Sequence, residues 1–197
     1  MEQAILARHA ESEYSVRAAV SGDPAVAVRL TAEGRRQARR LGEALRDEPV
    51  ELCVVSEFAR VAETADLALA GRDVPRLVVP ELNDPRAGAF EGGPLEEYRA
   101  WAHSHASADE PPGGGESRAA LVRRYARGFR AVLERPERLV LVVGHSLPFA
   151  YVLGALEGRG PARTVPLVEY VRVYRLSAGE LEGAIERLEA WCAAPTW

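Results

Sequence analysis

Short apolar runs alternate along the chain with stretches whose apolar positions recur every three or four residues. Residues 3–8 (QAILAR) predict a first strand. Residues 31–47 predict a helix, with Thr31 as N-cap and Leu41 and Leu45 on one face. The run 51–55 (ELCVV) predicts a buried strand, and from Phe58 the residues Val61, Ala62, Ala65, Ala68 and Leu69 keep helical spacing. A short strand is expected at 76–79. The Pro, Gly, Asn and Asp content of 80–93 predicts a loop, followed by a helix over about 94–104. After a second loop to Gly115, Glu116 and Ser117 open a helix with Leu121, Val122, Tyr125, Phe129, Val132 and Leu133 on its apolar face. The run 138–143 (RLVLVV) is the clearest strand. Phe149, Val152, Leu153 and Leu156 mark a further helix, and 167–176 alternates as a strand does. Leu181, Ile185 and Leu188 suit either a hairpin partner after a turn at Gly179 or a helix. This alternation predicts a single α/β domain over 1–197, a three-layer sandwich with a largely parallel central sheet flanked by helices.

Composition narrows the chemistry. The 25 basic residues are all arginine, and there is no lysine. Schiff-base enzymes and Walker A loops are therefore excluded, and arginine's rigid donor fork must serve any bound phosphate. A net charge of −4 gives a nucleic-acid role little support. Arg35, Arg36, Arg39 and Arg40, interleaved with Glu33 and Glu43, read as a solvated helix face. Cys53 and Cys192 do not form a disulfide framework, and the N-terminus lacks a signal pattern. No apolar run reaches membrane-spanning length. The expectation is a cytoplasmic protein with no membrane or nucleic-acid partner.

In open α/β sheets, ligands bind at the carboxyl ends of strands. The first strand ends in Arg8-His9-Ala10-Glu11-Ser12, and the second in Ser56-Glu57-Phe58-Ala59-Arg60. The third runs into Leu82-Asn83-Asp84, and the long fourth ends in Gly144-His145-Ser146. Two arginines, two histidines and a carboxylate thus meet at one sheet edge, a set suited to a phosphoryl group. Arg8 and Arg60 can hold its oxygens, a neutral histidine can attack phosphorus, and a second histidine, as a cation, can stabilise charge. A carboxylic acid can protonate the leaving alkoxide.

These segments resemble the histidine phosphatase superfamily, the phosphoglycerate-mutase-like proteins. Arg8-His9-Ala10 is similar to the family's Arg-His-Gly motif, and Leu30-Thr31-Ala32-Glu33-Gly34 to its Leu-Thr-x-x-Gly helix start. Ser56 through Arg60 with Thr64-Ala65 resembles its Ser-x-x-x-Arg-x-x-x-Thr-Ala stretch. Leu82 to Gly92, Gly114-Gly115-Glu116-Ser117 and Val142-Val143-Gly144-His145 follow in the family's order, and together the matches cover about 5–155. The resemblance implies a phosphoglycerate-mutase-like fold and a metal-independent, cofactor-free phosphomonoesterase acting on a small phosphorylated substrate. His9 would be the nucleophile, and Arg8, Arg60, His9 and His145 the phosphate-binding set. Asp84 would be the proton donor, where the mutase branch usually has glutamate, with Glu91 as the alternative carboxylate. Ala10 replaces the usual glycine, Ser15 a frequent asparagine and Phe90 a common tryptophan.

Blander readings stand beside these. Arg8 and Arg60 could be surface ion-pair residues, Asp84 before Pro85 a turn residue, and Ser56 a helix cap. Glu116-Ser117 reads as a capping signal. His103 and His105 have metal-like spacing but no further Cys or His nearby, and read as exposed helix-end residues. Gly144-His145-Ser146-Leu147-Pro148 resembles a serine-hydrolase elbow, but the last glycine is Pro148 and no histidine follows His145. A non-catalytic module binding phosphorylated ligands is a second rival. A phosphomutase using the same phosphohistidine is the third, and the compact chain with its short Ala-Ala-Pro-Thr-Trp end favours water as the acceptor.

Overall fold

The computed structural model describes residues 1–197. Five strands form one sheet: β1 (Gln3–Arg8), β2 (Leu52–Val55), β3 (Arg76–Val78), β4 (Leu139–Gly144) and β5 (Val173–Ser177). Their order is β3-β2-β4-β1-β5, with β5 antiparallel to β1 and the other pairs parallel. The helices are α1 (Glu13–Val16), α2 (Ala32–Ala44), α3 (Ala59–Ala68), α4 (Leu95–Ser104), α5 (Arg118–Leu133), α6 (Ser146–Leu156) and α7 (Ala178–Ala193). None of them is long and apolar enough to cross a membrane.

Side chains alternate across the pleat, so each apolar strand feeds two cores. Ala4, Leu6, Leu52, Val54, Val140 and Val142 pack with residues of α5, α6 and α7 on one face. Ile5, Ala7, Cys53, Val55, Leu141 and Val143 pack with residues of α2 and α3 on the other. The expected three-layer sandwich with a largely parallel sheet is what forms.

The structure corrects one local expectation and refines two others. The last strand is shorter than 167–176, because the chain at 168–172 leaves the sheet and folds against the end of β1. There Tyr170 bridges Arg8, and Val171 takes a positive φ of 51° that no regular strand allows. The ambiguous tail is the helix α7, started by a capping box in which Ser177 accepts from Glu180 N–H and Glu180 accepts from Ser177 N–H. The 80–93 loop contains two single 3-10 turns, Pro80–Leu82 and Gly88–Phe90. The single-turn helix α1, closed by a Ser12–Ser15 capping box, has no apolar face and so no periodic signature in the sequence.

β1 and β4 lie side by side at the centre. The chain leaves β1 toward β2 on one side and leaves β4 toward β5 on the other. This reversal opens a crevice at their carboxyl ends.

Candidate active site

The strand register sets the first contact. Arg8 pairs with Gly144, so the residues that follow, His9 and His145, emerge together, with His9 N–H bonded to Gly144 O at 2.8 Å. Their ring centroids are 5.4 Å apart, and both rings are buried.

His9 is held in one tautomer. Its Nδ1–H donates to the Ala10 carbonyl at 2.7 Å, which leaves the lone pair on Nε2. Arg60 Nε points at that nitrogen from 3.3 Å. Burial, then the charges of Arg60, His145 and Arg8, hold the His9 pKa well below the usual histidine range. The ring is therefore neutral near pH 7, the form that can attack. Ala10 lies outside the positive-φ region, so its methyl group causes no strain, and its N–H donates to Thr64 Oγ1 at 3.1 Å.

Arg60, on the first turn of α3, is 3% exposed and organises the site. Its Nη1 donates to Ser21 Oγ at 2.8 Å and its Nη2 to Asp84 Oδ2 at 2.8 Å. Its guanidinium lies over the Phe58 ring at 4.2 Å. Arg8 donates from Nη1 to Val168 O at 2.8 Å and stacks on the Tyr170 ring at 4.0 Å, while its buried Nε has no protein partner.

Asp84 faces both bases of the pocket. Its Oδ2 is 3.1 Å from His145 Nδ1 and 2.8 Å from Arg60 Nη2, and its side chain keeps 24% exposure. Burial opposes its charge, but His145 and Arg60 outweigh that and hold the carboxyl well below its usual range. It is ionised in this state. His145 is fully buried, and burial lowers its pKa although Asp84 pulls the other way. The expected cation is thus disfavoured, and the ring acts as a neutral donor toward Asp84.

Ser56 overturns its sequence reading. The N-cap position of α3 is Phe58, which makes no side-chain cap bond, and Ser56 Oγ lies 2.9 Å from His145 Nε2. Ser56 therefore fixes the second histidine rather than a helix end. Glu116 is likewise not a cap: Ser117 alone caps α5, and Glu116 forms an ion pair with Arg124 at 2.7 Å. Glu91, the alternative donor, accepts from Gly22 N–H at 2.9 Å and Ala87 N–H at 3.2 Å and does not line the cavity. Gly22 has to be glycine there, because a Cβ would sit 1.9 Å from Pro85 O. Ser15 is bound to Ser12, 2.7 Å away, and is not part of the cavity wall.

The elbow serine, Ser146, accepts from Val168 N–H at 2.9 Å, so it braces the 168–172 segment. His103 is exposed, and His105 stacks on Trp101 at 4.3 Å. No three His, Cys, Asp or Glu side chains converge in a way that could hold a metal ion.

The cavity above these groups measures about 330 Å³ and includes Arg8, His9, Asp84 and Ser146 in its wall. Tyr170, Ser21, Tyr98 and Arg118 also shape it or its arginines, and sequence reasoning missed all four. They lie on loops or helix positions without motif spacing.

An α/β sandwich with two histidines and two arginines at its central crevice is a frame for handling a tetrahedral dianion. The chain belongs to the histidine phosphatase superfamily (branch 1), whose profile matches residues 4–190. It is 36% identical over 130 residues to the adenosylcobalamin/alpha-ribazole phosphatase of Salmonella typhimurium, covering 62% of each chain. It is 30% identical over 169 residues to the phosphoglycerate mutase of Candida albicans, covering 76% of this chain and 65% of that protein. The matches thus span just under two thirds of these relatives' length. Among solved structures, it is similar to a putative alpha-ribazole-5′-P phosphatase from Escherichia coli. The TM-score is 0.77 at 27% identity, over 89% of this chain and 90% of that one.

Proposed function

We propose that this chain is a metal-independent phosphomonoesterase working through a phosphohistidine on His9. The observation that carries this reading is the His9 ring, buried, neutral and locked by its Nδ1 bond, with the Nε2 lone pair turned to Arg60 Nε at 3.3 Å and Arg8 beside it. Arg8, Arg60 and His145 bind the phosphoryl oxygens. His9 Nε2 attacks phosphorus as the ester P–O bond breaks, and Asp84 delivers the proton to the leaving oxygen. The deprotonated Asp84 then takes a proton from water as that water attacks the phosphohistidine, releasing phosphate.

Asp84 begins ionised, so it must gain its proton when substrate arrives. A phosphate dianion competes for Arg60 and His145, the two groups that hold the carboxylate charged. Proton uptake by Asp84 is therefore coupled to substrate binding.

His9→Ala is expected to remove essentially all turnover of an aryl phosphate while the melting transition persists. An alkaline quench of the wild type during turnover, which spares the acid-labile P–N bond, should retain labelled phosphate on His9. Equal turnover in the variant overturns the reading, and binding of vanadate without turnover by the wild type would make the protein a binding module instead. A phosphomutase is the second reading, supported by the identity to the Candida enzyme. Transfer of label to an added alcohol in preference to water would establish it.

A further inference from the structure

Asp84 sits on a segment with little regular structure of its own. Between β3 and α4 the chain makes only the single 3-10 turns Pro80–Leu82 and Gly88–Phe90. Within 80–87, only Asp84 and Pro85 line the cavity. The Asp84 carboxylate is held by Arg60 and His145, 2.8 and 3.1 Å away. A bound phosphate competes for both groups. The carboxyl therefore loses its side-chain ties when it must deliver a proton. An aspartate has only one methylene with which to search, so the backbone has to set its position.

That backbone is gripped from outside the cavity by Arg124 of α5. Its Nη1 donates to Glu81 O at 2.8 Å and Asn83 O at 3.0 Å, and Nη2 reaches Asp84 O at 3.4 Å. Its Nε and Nη2 donate to the two oxygens of Glu116, at 2.9 and 2.7 Å. All five donors of the guanidinium are thereby used. The buried Glu116 ties the segment again beyond Asp84, where its own N–H donates to Arg86 O at 2.8 Å. Residues 81, 83 and 86 are thus bound to this pair on both sides of Asp84. One turn along α5, Gly128 lets the segment come close, since a Cβ there would lie 2.8 Å from Leu82 Cδ2 and 2.9 Å from Glu81 Cβ. None of these contacts uses a group that phosphate would take.

We propose that Arg124 and Glu116 are positioning residues for the proton donor, holding the Asp84 backbone in place while its carboxyl exchanges partners. This deepens the phosphatase reading and rests on it. A misplacement of about 1 Å can cost about 100-fold in rate even when the altered group lies far from the chemistry.

The test compares kcat/KM for an alkyl phosphate with that for p-nitrophenyl phosphate in the same preparation, so that any loss of folded protein cancels from the ratio. The proteins are wild type, Arg124→Gln with Glu116→Gln, Asp84→Asn, and all of these changes together. Changing both members of the pair leaves no buried charge alone. The paired Gln variant should lower the alkyl-to-aryl ratio by roughly tenfold to a hundredfold, with KM for the aryl ester close to that of wild type. In the Asp84→Asn background the same pair should leave the ratio as it stands. Gly128→Ala keeps Arg124 and Glu116 but displaces the segment, and it should also lower the ratio; it decides the matter if the paired variant does not fold. A wild-type ratio in whichever of these variants folds overturns the positioning role, as does an equal fall with and without Asp84. If Asp84→Asn itself does not move the ratio, Asp84 is not the donor, and the positioning role falls while the phosphatase reading stands. No phosphate release from either ester by the wild type overturns that reading as well.

Discussion

A histidine that attacks phosphorus needs its lone pair on the nitrogen facing the substrate, and here one backbone carbonyl decides this. The Ala10 oxygen takes the Nδ1 proton of His9, so the lone pair lies on Nε2, the nitrogen that attacks in the proposed mechanism. The donor's task is separate from the nucleophile's. Asp84→Asn should slow alkyl phosphates far more than an activated nitrophenyl ester, because only a poor leaving group needs the proton. Equal slowing of both would remove Asp84 from that role. Tyr170 works one step back, through Arg8. Its ring stacks on the guanidinium at 4.0 Å, a contact worth about 0.5–2 kcal/mol, or roughly 2- to 30-fold. Tyr170→Leu should therefore raise KM by that range with a smaller change in kcat, and Tyr170→Phe should keep most of the wild-type KM. Arg8, His9, Arg60, Asp84 and His145 were legible as a set because Arg8 ends β1 and the others lie in the segments that follow β1, β2, β3 and β4. Tyr170 was not, since its position depends on the left-handed backbone of Val171, which no periodicity announces.

At the level of elements, parallel pairing converts strand endings into a site. The Arg8–Gly144 register places the two histidines side by side, and a shift of one residue would turn every β1 side chain to the opposite layer. The loops need their own ties. Glu91 joins the Gly22 and Ala87 backbones, so Glu91→Gln should lower the melting temperature but leave the leaving-group dependence of the rate as it is in wild type. A Gln variant that selectively loses poor leaving groups would make Glu91 the donor after all. At the far end of the sheet, Ser177→Ala removes the α7 cap. It should cost about 1 kcal/mol, or roughly 2–4 °C in melting temperature for a chain of this size, with kcat unchanged. The tail illustrates why its reading stayed open. Leu181, Ile185 and Leu188 are spaced for a helix face, but Gly179 also reads as a hairpin turn. The deciding feature is the reciprocal Ser177–Glu180 cap, which exists only once the chain has turned away from β5.

Across the whole molecule, the layering was legible because buried parallel strands are apolar on both faces, whereas the antiparallel β5 carries exposed and half-buried residues and gives a weaker signal. The same central burial that keeps His9 neutral also makes the fold sensitive to acid. His9 and His145 are both held below the usual histidine range by burial. In the unfolded chain they protonate near about 6.5, so below that pH the unfolded state takes up protons that the folded state refuses. Stability must therefore fall as the pH drops from 7 toward 5. Asp84 acts lower on the scale. Against burial, His145 and Arg60 keep it ionised in the fold below its ordinary range. Its contribution is complete above the unfolded value of about 3.9 and is lost as pH falls further toward the folded value. Acidification should thus lower the melting temperature in two windows, the histidine window first. His9→Gln removes one of the two buried rings, so its melting temperature should decline less steeply between pH 7 and 5 than that of the wild type. A wild-type melting temperature that is flat across that interval, or an identical slope in the variant, would show that the histidines titrate in the fold much as they do in the open chain.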